Sequence, residues 1–143
     1  MFDNLSDKLL GDFEKEYETV MTWNKSQQAI YIIWNWEAEV NNGGFNQFYF
    51  NSSGRFYQHL PDALKLVGSK EFADLAERAN KIYEQENDTI TKHQNGTIEG
   101  FSKSYEDNPL NELDPVFFEL HTEDLQEIQI EFIRKNKTEF IDN

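Results

Sequence analysis

Apolar positions recur at helical intervals along most of this chain. Leu9, Phe13, Tyr17 and Val20 follow steps of four, four and three, one face of an amphipathic helix with Ser6 placed to cap it. A second helix is predicted to begin after Ser26 and stop at Gly43, a residue suited to a left-handed C-terminal turn. Between those ends Ala29, Ile30, Tyr31, Ile32, Ile33, Trp34, Trp36 and Val40 cover most of the helical wheel, as in a central buried helix. The β-branched and aromatic run 31–34 also suits a strand, but Ala29, Glu37, Ala38 and Glu39 around it favour helix. Residues 43–54, GGFNQFYFNSSG, read as a connector punctuated by Gly, Asn and Ser.

Beyond the connector, Pro61 suits the first turn of a short helix ending at Gly68. Ser69 is placed to cap a longer helix with Phe72, Leu75, Ala76, Ala79, Ile82 and Tyr83 on its apolar face. Gly96, Gly100 and Pro109 mark 93–109 as loop, Asp114 and Pro115 read as cap and first helical residue, and Thr122 as the cap of a last helix running to about Lys137. No repeat, linker or low-complexity tract divides the chain. The expectation is an all-α fold, a single compact domain of about five to seven helices across residues 1–143.

Composition narrows the class. An apolar share of 38% with 15% aromatic residues supports a packed core, which argues against disorder. No apolar run reaches the ~18 residues of a membrane span, and no basic-then-apolar leader is readable, so a cytoplasmic protein is expected. The absence of Cys excludes disulfides, thiolate catalysis and Cys-ligated zinc. Thirteen Lys and Arg against 27 Asp and Glu give a net charge of −14. Phosphate backbones and anionic membranes would be repelled by such a surface, so direct nucleic-acid or membrane binding is not expected.

The charge is unevenly placed. Residues 101–143 hold eleven acids and four bases, half of the net excess. Glu119, Glu123, Glu127 and Glu131 fall at every fourth position, the first of them near the start of the last helix or just before it. On one helix face, successive carboxylates at that interval stand about 6 Å apart along the axis. Leu125, Ile128 and Phe132 take the opposite face, so the glutamates face solvent, with the apolar Ile130 among them. Asp12, Glu14, Glu16 and Glu18 repeat the pattern on the first helix, and Asp107, Glu112 and Asp124 add to it. Duplex DNA carries about one charge per 1.7 Å of axis over two strands, so folded rows of carboxylates offer a basic DNA-binding protein a similar polyanion. A solvated acidic face with no partner is the plainer alternative.

The stretch from Trp34 to Gly54, WNWEAEVNNGGFNQFYFNSSG, is not explained by periodicity. In Glu39, Asn41, Asn42, Gly43, Gly44, Phe45, Gln47, Phe48, Phe50, Asn51 and Gly54 the sequence resembles the bacterial domain family named for DNA mimic protein 19. A weaker echo lies in LNELDPVFFEL, residues 110–120, and in the last helix with Asn136 and Phe140. The resemblance implies an α-helical domain, a homodimer, and mimicry of duplex DNA toward a helix-turn-helix transcription regulator. The shared motif is apolar and amide-rich, so it suits a role in the fold, while mimicry would need the surface carboxylates that this chain carries independently.

Rival chemistry has less support. Glu37 lies on the wheel between Ile30, Ile33 and Trp34, where a buried carboxylate could act as acid or base, but no nucleophile or partner base stands at a readable spacing. His59, His93 and His121 are scattered without a ligand spacing, and the acids Glu106, Asp107, Glu112 and Asp114 lack a calcium-loop pattern. Asn42-Gly43-Gly44 lacks the Lys and spacing of a phosphate loop, and Asn46, Gln47 and Asn51 suit loop fastening better than a polar pocket. The chain therefore reads as a non-enzymatic binder with no cofactor or metal. An immunity-type protein neutralising a toxin, such as a nuclease, would need the same acidic face. A small-ligand or enzyme module around Glu37 is the remaining alternative.

Overall fold

The computed structural model describes residues 13–51, 55–86, 99–100, 108–120 and 125–140. Among them are six α-helices and no strand: α1 Phe13–Met21, α2 Lys25–Phe50, α3 Leu60–Val67, α4 Lys70–Gln85, α5 Asp114–Leu120 and α6 Leu125–Lys135. Short 3-10 turns at Pro109–Leu113 and Lys137–Phe140 precede α5 and follow α6. The expectations placed on Ser6, Leu9, Asp12, Gly54, His93, Glu106, Asp107, His121, Thr122, Glu123 and Asp124 lie outside the described residues.

Helix α2 is the centre of the fold, as its apolar circumference predicts, and packs against α3, the 3-10 turn before α5, and α5 itself. It starts one residue earlier than expected. Asn24 is the cap, its side-chain oxygen accepting a hydrogen bond from Gln27 N–H at 2.8 Å. The Ser26 hydroxyl instead donates to the Glu139 carboxylate, and the Asn24 amide donates to the Glu139 backbone carbonyl at 2.8 Å. Trp34 also departs from expectation, being 52% exposed rather than part of the buried face.

The larger correction is at Gly43, where the helix kinks but does not stop. Gly44, at φ 78°, takes a conformation that glycine alone adopts without strain, and helix resumes from Phe45 to Phe50. The expected connector is therefore a second, angled segment of α2. Its new first turn has unsatisfied N–H groups, and the Asp114 carboxylate accepts the one on Phe45 at 2.9 Å. Asp114 thus caps a helix remote in sequence.

Other boundaries follow local chemistry. Gly68, at φ 95°, ends α3 in the left-handed turn, and Pro61 sits in that helix's first turn. Ser69 precedes α4 as predicted, yet its side chain makes no cap hydrogen bond. Asn108 caps the 3-10 turn by accepting from Leu110 N–H at 2.9 Å, while its amide donates to buried Asn46 at 2.7 Å. The core between these elements is aromatic. Trp36 meets the edges or faces of Phe45, Phe72 and Phe117 at centroid distances of 6.0, 5.9 and 5.2 Å. Tyr49 and Tyr83 stack at 4.4 Å and join α2 to α4.

Candidate interaction surface

The motif that sets the sequence apart forms a hydrogen-bonded brace around the kink. Glu39, one turn before the break, accepts from the Gln47 amide at 2.7 Å and from the Asn51 amide at 2.9 Å. Asn42 donates to the Gln47 side-chain oxygen at 3.2 Å. A carboxylate between two amide donors holds both halves of α2 at one angle, because each bond is charge-assisted. Phe45 and Phe48 are buried under this brace, Phe50 is half-buried, and Asn41 is exposed. A methyl group on Gly44 would lie 2.3 Å from an Asp114 oxygen, and one on Gly43 would overlap the Gln47 side chain. These residues hold the backbone and leave no vacant cleft for chemistry.

The acidic positions are placed less uniformly than the spacing predicts. Glu127 and Glu131 are exposed on successive turns of α6, above the buried Leu125 and Gln129. Glu119 is exposed on α5, a separate helix, so no continuous helical row joins it to Glu127 and Glu131. Glu112 is exposed on the turn before α5 and Glu18 on α1, which also carries Glu14. Glu16 corrects the expectation of an outward patch there. It is only 9% exposed and accepts a hydrogen bond from the Tyr31 hydroxyl at 2.9 Å. Burial, and then this carboxylate, push the Tyr31 phenol well above its ordinary range. The sequence held the signal, since Glu16 lies one turn before Val20 and so about 40° from it on the wheel.

Helix α6 also has an internal reason for its charge order. Glu127 sits in its first turn and Arg134 and Lys135 in its last, the arrangement that complements a helix dipole. Lys135 reaches back to Glu131 at 3.7 Å, with both side chains largely exposed. Such a pair contributes at most about 1 kcal/mol and opens readily.

Two cavities border this region. One, of about 240 Å³, is lined by Lys25, Gln28, Ala29, Ile32, His59, Asp62, Ala63 and Leu66. The Tyr17 hydroxyl hydrogen-bonds His59 Nε2 at 2.7 Å. Burial, and then the Lys25 charge, hold the His59 imidazole below its usual pKa, with Asp62 pulling the other way. The second is a groove of about 680 Å³ between the end of α3 and α6, bordered by Leu66, Val67, Gly68, Glu127, Ile128, Glu131, Phe132, Lys135 and Asn136. Residue spacing did not reveal this groove, because it arises from the packing of α6 on α3. Glu37 lies in neither cavity and is 4% exposed, inside α2's apolar arc. Among the described residues no group of three His, Asp or Glu side chains could hold a metal ion, and no helix is long and apolar enough to cross a membrane.

No curated protein and no solved structure matches the chain significantly. The sequence model of the DMP19-like protein family does, over residues 21–136. That span runs from the end of α1 to the end of α6 and includes the whole brace. The chain belongs to the DMP19-like family.

Proposed function

We propose that this member of the DMP19-like family acts without catalysis, as an acidic decoy occupying the DNA-binding face of a basic protein such as a helix-turn-helix regulator. The observation that carries this reading is the pair Glu127 and Glu131, exposed on successive turns of a helix whose other side is anchored by buried Leu125. Anchoring fixes where the carboxylates stand, so a partner meets them without ordering them first. Exposed Glu119, Glu112 and Glu18 extend the negative field, and the net charge of −14 steers a cationic partner from a distance. The family resemblance adds a homodimer to the proposal, which sedimentation equilibrium measures directly.

The test replaces Glu123, Glu127 and Glu131 together by Gln and measures partner capture and competition with DNA at several salt concentrations. The reading expects weaker capture and a shallower salt dependence. Unchanged competition by the triple variant rejects it.

A further inference from the structure

We infer that the groove between α3 and α6 receives an amphipathic, basic helix of the partner, so that apolar contact adds to charge in recognition. This rests on the reading of the protein as an acidic decoy and specifies how the partner enters. The groove has an apolar floor and side, made by half-buried Ile128 and Phe132, buried Val67 and Leu66, which is 46% exposed. Its α6 rim carries Glu127 and Glu131 about 6 Å apart along the axis. Its volume of about 680 Å³ falls in the usual range for clefts that bury ligand side chains.

Apolar floor and acidic rim together select the occupant. A helix docking in a groove inserts side chains at intervals of three and four, and its flanking positions then face the rim. Lys or Arg at those flanks would meet Glu127 and Glu131, displacing Lys135 from its weak exposed pair. DNA-reading helices meet a comparable surface in the major groove, where phosphates border a floor bearing thymine methyl groups. A second copy of this chain fits less well, because each copy carries a charge of −14. Ile130, 46% exposed on α6, extends the apolar surface past the groove's edge.

The test uses the full chain and three synthetic peptides of about eighteen residues, long enough to form helix. One has Leu at helical intervals with Lys and Arg elsewhere, the second is its scrambled isomer, and the third is an amphipathic counterpart with Glu for the cations. Binding is followed by fluorescence anisotropy, and by amide signals of residues 66–68 and 127–132. The amphipathic basic peptide is expected to bind roughly tenfold more tightly than its scramble. Leu66→Ser, and independently Leu66→Lys, should remove that advantage while leaving the salt slope in place. Scrambled and ordered peptides binding equally, with Leu66 variants silent and Glu127→Gln/Glu131→Gln weakening both, would overturn the groove while leaving the decoy reading intact. Glutamate variants without effect on either peptide would overturn both. Equal binding of the acidic peptide, or groove signals that move with protein concentration alone, also rejects a basic partner helix.

Discussion

The Asp114 carboxylate accepts the backbone N–H of Phe45 at 2.9 Å, across 69 positions of sequence. It restarts a helix that a glycine pair has broken. Burial raises the Asp114 pKa from its ordinary 3.8, and the Phe45 hydrogen bond only partly opposes this. A carboxyl that is harder to ionise when folded binds protons more strongly in the native state, so stability falls as pH rises from about 4 through the raised value. Asp114→Asn keeps an acceptor oxygen and removes the titration, and should flatten urea-unfolding stability across that window. Asp114→Ala should cost about 1–2 kcal/mol through loss of the cap.

Gly44→Ala combines a left-handed backbone with a methyl placed against Asp114. The expected loss is about 2 kcal/mol or more. The Asp114→Ala background should remove the steric part and leave the backbone part, so a double-mutant cycle should show coupling. Gly43→Ala meets only the Gln47 side chain and should cost less.

His59 titrates in the opposite sense. Its folded pKa lies below the ordinary 6.5, so the stability tied to its neutral form is complete above pH 6.5 and is lost as pH falls through the lowered value. Thermal unfolding between pH 7 and pH 5 should show that loss, and His59→Gln should reduce it. An imidazole NMR titration gives the midpoint directly.

Glu131→Gln breaks the exposed contact with Lys135 and should change stability by about 0.5 kcal/mol or less. A binding defect in this variant then reports on the surface and not on unfolding. Matched denaturation curves are the control.

Trp36 is fully buried among Phe45, Phe72 and Phe117, and its indole N–H has no hydrogen-bond acceptor among the described residues. Trp36→Ala should cost about 3–5 kcal/mol. Trp36→Phe keeps an aromatic ring in the cluster and removes an unsatisfied donor, and its cost by chemical denaturation should be well under half as large.

The helical class, the central place of α2 and the end of α3 at Gly68 were legible because each rests on spacing or on one residue's backbone preference. The resumption of α2 after Gly44 was not, since the group that permits it comes from Asp114. Local reading assigned that aspartate to its own helix. Glu16 was misplaced by counting acids without their angular position, while Glu127 and Glu131 emerged as exposed because their helix has a clear apolar side. The unbroken row through Glu119 failed at the boundary between α5 and α6. The α3–α6 groove belongs to tertiary packing, for which no short-range pattern exists.

Glu139, in the final 3-10 turn, receives hydrogen bonds from both Asn24 and Ser26 at the start of α2. It lies beyond residue 136, where the family match ends. A protein trimmed to the shared family segment would thus lose a latch between its tail and its central rod. Sequence common to the family and sequence needed to keep this molecule shut have different edges, and α6, which runs into that tail, would be the first element to loosen.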